Sequence, residues 1–265
     1  MFAGLLSHSI LKRAEERGLL QVVLVQLRDF AEGRHQRVDD APFGGGPGMV
    51  IQADVLERAV ASLHAEADTS GCARGRVVYL SPQGRRFDQD DAKRLAGLAH
   101  LVLICGHYEG VDERLVAARV DEELSLGDFV LTGGEIPAMA VLDAVVRLLP
   151  GVLGDGASAV GDSFYHGLLD HPQFTRPASW LRLDGQVDRV PEVLLSGNHG
   201  LVAAWRRRQA LLRTLIRRPD WLQRADLTRT ERRLMEMLAH DLETLEDSPL
   251  DITNREEQQD REERQ

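Results

Sequence analysis

The sequence predicts an α/β fold, a mainly parallel sheet flanked by helices, followed by a small C-terminal helical domain. Three observations carry this. Short apolar runs alternate with amphipathic helical stretches through residues 2–151, the pattern of strand–helix–strand units. Strand-like runs lead into glycine-containing loops, as at the ligand-binding ends of an open α/β sheet. Past residue 151 the chain becomes Gly-rich, then Pro-punctuated, then helical and basic.

In order, residues 2–17 place Phe2, Leu5, Leu6, Ile10 and Ala14 on one face of a predicted helix. "QVVLVQL" (21–27) reads as a strand. "DDAPFGGGPGM" (39–49) is a Gly/Pro loop, and "IQADVLERAVASLHAEA" (51–67) an amphipathic helix. "RVVYL" (76–80) is a strand, followed by the turn "SPQG" and a helix over 88–99. "LVLICG" (101–106) is a further strand and 111–120 a helix. The stretch "IPAMAVLDAVVRLLPG" (136–151) is a helix with Pro137 near its first turn, where a missing N–H costs nothing. "GVLGDGASAVGDSFYHG" then has linker composition, and "LLDHPQFTRPASW" and "VPEVLLSGNHG" are Pro-punctuated loops. The expected division is a cofactor-binding domain over 1–153, a flexible linker over 154–170, a helical domain over 171–240 and a disordered acidic tail over 241–265.

The chain has 265 residues, 43% hydrophobic and 28% charged, enough to bury a large core. No apolar run approaches the roughly 18 residues of a membrane helix. Charges follow soon after the short apolar start, without a small-residue cleavage site, so no signal peptide is expected and the cytoplasm is the expected location. Two cysteines, Cys72 and Cys105, make neither a disulfide framework nor a zinc site. The net charge of −10 hides segregation. Residues 241–265 carry ten acids against three arginines, whereas residues 201–233 carry ten arginines against Asp220, Asp226 and Glu231. A block of that density can bind a phosphate backbone, or serve as a solvated helix face.

Three segments place glycines after strands: "YLSPQG" (79–84), "ICGHYEGVDER" (104–114) and "SLGDFVLTGGEIP" (125–137). None is GxGxxG or GxxxxGK[ST], which argues against a dinucleotide or a triphosphate. Singly, each is most often a tight turn. Together with "VDDAPFGGGPGM", "DEELSLGDFVLTGGEIPAM", "LLPGVLG", "LLDHPQFTRP" and "VPEVLLSGNH", in this order, they resemble the bacterial tRNA (guanine-N1)-methyltransferases of the SPOUT superfamily, from near residue 2 to about 235.

The resemblance implies a knotted sheet, a deep trefoil through which the third loop threads, an exception to unknotted topology. It implies S-adenosylmethionine held by Tyr79, Leu80, Pro82, Gly106, Tyr108, Glu109, the run Leu126, Gly127, Asp128, Phe129, Val130 and Leu131, and Gly133, Gly134 and Pro137. It implies methyl transfer to N1 of the guanine just 3′ of the anticodon, guanine 37. Asp162 would then be the general base that removes the N1 proton. By itself an Asp–Ser pair in a Gly-rich stretch is ordinarily a turn or a cap. Arg147 would hold the charge developing on O6, although it also stands four residues after Asp143, the spacing of a helix ion pair. Glu109 would favour the cationic sulfonium. Asp39 and Gly48 would shape the guanine pocket, and His199, Arg206 and Arg207 would grip the tRNA. The family works as a homodimer with shared active sites, and magnesium is associated with its catalysis; no metal ligand is assigned here.

Two departures stand out. His107 occupies a position where the family usually has Arg, so a fixed positive charge becomes titratable. Family members also open with a β-strand ahead of the "MF" that begins the first helix, whereas this sequence starts at Met1-Phe2; the expectation is that the natural protein starts upstream and that a first strand is missing here. Other readings are a ribose 2′-O-methyltransferase of the same superfamily and a catalytically impaired RNA-binding relative.

Overall fold

The computed structural model describes residues 1–153 and 162–246. It divides into two compact units between Val160 and Gly161. The expected linker over 154–170 and tail over 241–265 therefore lie partly outside the described residues.

The first unit is built on three parallel strands: β3 (Arg76–Arg86) lies between β4 (Leu101–Cys105) and β5 (Glu122–Ser125). Helix α3 (Ala53–Thr69) precedes β3, α4 (Gln89–Ala96) and α5 (Glu113–Arg119) are the crossovers, and α6 (Glu135–Val146) follows β5. Side chains alternate across a strand, and β3 shows the consequence. Val77 and Tyr79 pack with Leu56 and Val60 of α3 and Leu115 and Val116 of α5. Val78 and Leu80 pack with Leu95 of α4 and Ala138, Val141 and Val145 of α6. Each such aliphatic side chain contributes roughly 1.5–3 kcal/mol by leaving water. A parallel sheet needs both faces covered, and here both are.

Helices α3 to α6 lie close to the sequence expectation, but other elements differ. "SPQG" is not a turn that ends a strand. It is an arch inside β3, where pairing jumps from Leu80 to Arg85 and both residues oppose Leu124. Gly84 makes this possible, since a Cβ there would lie 2.5 Å from backbone atoms of Glu123 and Leu124. The run "QVVLVQL" is not a strand. It is irregular and leads into a 3₁₀ turn at Leu27–Phe30, with Val23 and Leu24 exposed. An apolar run becomes a strand only beside a partner, and the sheet gives it none. The single helix expected over 2–17 is two, α1 (Phe2–Leu6) and α2 (Ser9–Glu16), interrupted where Ser7 and His8 turn their side chains onto the carbonyl of Gly4. Leu11 and Ala14 of α2 are buried with Val146 and Val152. The Gly/Pro loop is closed at its base by a short antiparallel ladder, β1 (Asp39–Asp40) against β2 (Val50–Ile51).

The second unit contains α7 (Glu192–Leu195), α8 (His199–Arg217) and α9 (Arg229–Glu246). Part of the Pro-punctuated stretch is a hairpin rather than loop: β6 (Ser179–Leu181) pairs antiparallel with β7 (Val187–Arg189) around Asp184-Gly185, a dipeptide suited to tight turns. The core comprises Leu168, Leu211, Leu215, Ala225 and Met235. Thr214 is fully buried and satisfied, its hydroxyl donating to the Ala210 carbonyl (2.7 Å) and accepting from the Leu169 N–H (2.8 Å). At the start of α9, Glu231 accepts from the Thr228 N–H and from Arg207 Nε, each at 2.8 Å, tying α9 to α8.

Two predictions follow from these environments. The Arg207 guanidinium holds the Glu231 carboxyl at about 2, below its ordinary 4.5. A depressed carboxylate stabilises the fold above its unfolded value and loses that contribution as pH falls through its folded value. Thermal unfolding of the protein and of Glu231→Gln should thus differ at pH 7 and converge toward pH 2; a gap independent of pH would contradict the ion pair. Burial, with the Glu135 charge second, pushes the Cys105 thiol up to about 12, whereas Cys72 is exposed. Since the thiolate is the nucleophile, iodoacetamide at pH 8 should label Cys72 and spare Cys105 by peptide mass spectrometry, and equal labelling would contradict that burial.

Candidate cofactor and catalytic site

Three segments of the first unit converge at the carboxyl ends of its strands. The first is the Leu80–Gly84 arch with Tyr79 before it, the second is Gly106–Gly110 after β4, and the third is Leu126–Gly134 between β5 and α6. Backbone holds them together. The Gly134 N–H donates to the Gly106 carbonyl at 2.8 Å, and a Cβ on Gly134 would sit 2.6 Å from the Cys105 Cα. A Cβ on Gly106 would fall 2.9 Å from the Tyr79 hydroxyl. Only glycine permits such approach. Burial raises the Tyr79 pKa, with the Glu123 charge second, which keeps the phenol protonated.

The third segment is folded on itself. Ser125 Oγ donates to the Gly127 carbonyl (3.0 Å) and accepts from its N–H (3.2 Å), and the Phe129 N–H donates to the same carbonyl (2.9 Å). Asp128 pairs with Arg86 of β3 at 2.7 Å. Phe129 and Val130 nevertheless stand 56% and 82% exposed. A rigid loop that presents apolar side chains outward is a ligand-facing arrangement. Leu126 and Leu131 are half-buried, and Pro137 lies in the first turn of α6.

The second segment gathers the acidic candidates. Its Glu109 N–H donates to the Met49 carbonyl at 3.0 Å. Gly48 is in the left-handed region at φ +84°, and a Cβ on it would collide with the Glu109 carboxyl group. Ile51 of β2 donates to the Gly110 carbonyl at 2.9 Å and bridges to Val111, while Asp39 stands opposite Ile51 in the ladder. The structure thus brings Asp39, Gly48 and Glu109 onto one connected backbone frame. Tyr108 adopts φ +59° and is 60% exposed beside them.

Glu135 was absent from the sequence-derived site. Its Oε1 lies 2.6 Å from His107 Nε2, and its Oε2 is buried without a hydrogen-bond partner among the described residues. A Cβ on Gly133 would fall 2.6 Å from that oxygen. The signal was present as an acid in the first turn of a helix after two glycines, but it reads equally as helix-dipole compensation. Where the family resemblance leads one to expect a permanent cation, this chain sets a histidine against a carboxylate.

The remaining candidates are divided between the units. Arg147 is the half-buried C-cap of α6 in the first unit. Asp162 opens a turn of the second unit, where its carbonyl accepts from the Tyr165 N–H at 3.3 Å. That turn is packed rather than loose. The Phe164 ring lies 4.6 Å from that of Trp221, Arg218 stacks over Phe164 at 5.4 Å, and Leu168 is in the core. His199 is the exposed first residue of α8, capped by Asn198, which accepts from the N–H groups of Gly200 (3.1 Å) and Leu201 (3.2 Å). Arg206 is exposed, whereas Arg207 is committed to Glu231. Among the described residues no group of three or more His, Cys, Asp or Glu could hold a metal ion, and no helix is long and apolar enough to cross a membrane.

Comparison with known proteins gives a consistent result. A family model described as tRNA (Guanine-1)-methyltransferase TrmD matches residues 1–224. The chain is 63% identical over 247 residues to a tRNA (guanine-N(1)-)-methyltransferase of Magnetococcus marinus, covering 93% of this chain and 94% of the relative. It is 55% identical over 245 residues to the protein of that name from Desulforudis audaxviator (92% and 94% covered). Against the Geobacillus kaustophilus protein it is 50% identical over 228 residues (86% and 89%).

Proposed function

The chain belongs to the tRNA (guanine-1)-methyltransferase family, and we infer that its reaction is methyl transfer from S-adenosylmethionine to N1 of a tRNA guanine, the one just 3′ of the anticodon. The observation that carries this reading is the 63% identity across 93% of the chain to a protein named for that chemistry. Neither a ribose 2′-O-methyltransferase nor an impaired RNA-binding relative is favoured beside it.

The residues present fit the cofactor. Glycines at 106, 133 and 134 let the second and third segments close on their neighbours, since a Cβ at each would meet Tyr79, the His107–Glu135 pair or the Cys105 backbone, and exposed Phe129 and Val130 offer apolar surface for the cofactor. Tyr79, Leu80, Pro82, Tyr108, Leu126–Leu131 and Pro137 would complete the cradle, in a loop we take to thread a trefoil knot. When bound, the sulfonium supplies an electrophilic methyl group. Guanine N1 carries a proton at neutral pH and is a nucleophile only once that proton is lost, which is the task assigned to the Asp162 carboxylate. As the proton leaves, negative charge spreads onto O6, and the Arg147 guanidinium offers a fixed positive partner. Glu109 places negative charge beside the cationic cofactor, and Asp39 and Gly48 frame the guanine. In the second unit His199 and Arg206 would contact tRNA, while Arg207 acts indirectly by holding α8 to α9. The reading includes a homodimer with shared active sites, a cytoplasmic location and accessory magnesium without assigned ligands.

Three outcomes test this. With labelled cofactor, the protein should methylate a tRNA transcript bearing guanine 3′ of the anticodon and ignore one bearing adenine, with a primer-extension stop locating the product at N1. Asp162→Asn should lower kcat about 100-fold or more while leaving cofactor affinity intact; an unchanged kcat would remove Asp162 from the mechanism. Gly134→Ala should weaken cofactor binding more than tenfold by calorimetry, because its Cβ would meet the Cys105 Cα at 2.6 Å; wild-type affinity would show that the loops need not approach so closely.

A further inference from the structure

The second unit contains a cavity of about 370 Å³ between the segment His171–Arg176 and the first turns of α8. Its chemistry is specific. Trp205 forms one wall, with its ring 6.2 Å from that of Phe174 and 6.4 Å from that of His171, each tilted by nearly 60°. Leu194 adds apolar lining, and Arg176 and Arg206 are cationic lining residues. Neither of these arginines has a hydrogen bond or ion pair among the described residues, in contrast to Arg207, whose guanidinium is committed to Glu231. Phe174 is 46% exposed, so an aromatic face remains open.

Beyond the cavity, α8 carries further cations in line with Arg206. Arg213 and Arg217 follow Arg206 by seven and eleven residues on α8. At about 100° per residue all three fall within roughly 20° of one azimuth, about 10 and 16 Å along the helix from the cavity mouth. An opening lined by aromatic rings and guanidinium planes, leading onto spaced cations, matches what single-stranded RNA presents: a planar base and a phosphate run. A duplex could not enter a space of this size. An acidic peptide would have no use for the rings.

We propose that this cavity seats one unstacked tRNA base, from a nucleotide other than the methylated guanine, against the aromatic lining formed by Trp205, Phe174 and His171, with neighbouring phosphates on Arg176, Arg206 and the Arg213–Arg217 track. This rests on the reading of tRNA as the substrate. The seated base fixes how the RNA lies on the second unit, so its contribution appears in substrate affinity and not in the chemical step.

The test uses the full chain, a fluorescently labelled tRNA transcript and a set of transcripts abasic at single anticodon-loop positions. Phe174→Ala and Trp205→Ala should each raise the tRNA Kd and KM about tenfold, with kcat at saturating tRNA and cofactor affinity unchanged, and Trp205→Phe should restore most of the binding. One abasic position should cost the wild type about tenfold and cost Trp205→Ala nothing. Arg213→Ala should reduce the slope of log Kd against log salt by about one. Phe174 is exposed, so its loss should leave the fold intact, and circular dichroism checks this. Unchanged Kd in both alanine variants would overturn the proposal. So would coupling at the target guanine itself, equal losses at every abasic position, or a changed oligomeric state in Phe174→Ala, which would mean that a second copy fills the cavity. If wild type neither binds nor methylates any tRNA, the functional reading falls and this proposal falls with it.

Discussion

Three stretches of backbone can meet at the carboxyl ends of the first unit's sheet only where no side chain stands between them. Gly134 against Cys105 and Gly106, Gly106 against Tyr79, and Gly84 against Glu123 and Leu124 are the meeting points. The 2.8 Å bond from the Gly134 N–H to the Gly106 carbonyl fixes the separation of the second and third loops. Much else is set by that distance. It places the start of α6, whose apolar face then covers Val78, Leu80 and Leu124. It half-buries Cys105, and it brings Glu135 within reach of His107. Interiors are close-packed, so such contacts cannot relax independently.

The frame has a second layer in the Gly/Pro loop. Ladder bonds from Ile51 to Gly110, and from Asp112 back to Ile51, dock the loop's base onto the second segment. Gly48 and Glu109 are thereby pressed together although 61 residues separate them in sequence. The candidate guanine pocket and a candidate cofactor carboxylate are positioned by one set of hydrogen bonds, which couples the two subsites mechanically. The His107–Glu135 pair, 2.6 Å apart, ties the second segment to the first turn of α6 by side chains as well as by backbone.

In the second unit the arginines divide by task. Arg207 joins helices through Glu231, and Arg218 and Arg224 lie over aromatic rings around Trp221. Arg176 and Arg206 have no such employment among the described residues. A net charge of −10 for the whole chain therefore says little about the surface this unit offers to a polyanion. Local fields, screened over roughly 8–10 Å in physiological salt, govern that encounter.

The sequence by itself determined the order and type of the principal α/β elements, because periodicities of two and 3.6 are written locally, and it determined the family, because ordered motifs survive without coordinates. Through the family resemblance it singled out Gly127, Gly133 and Gly134 as positions where a Cβ would obstruct; in the structure Gly134 abuts the Cys105 and Gly106 backbone, whereas Gly127 and Gly133 face side chains. It could not assign "QVVLVQL", since an apolar run carries no record of whether a strand will lie beside it. It read "SPQG" as a turn, since an arch within one strand depends on what Leu124 does across the sheet. The Asp184-Gly185 hairpin turn went unread among prolines, and Glu135 looked like an ordinary helix-start acid. Only the tertiary structure decided which arginines are spent on ion pairs and which line a cavity. Partner choice between residues distant in sequence is a property of packing, and no local pattern encodes it.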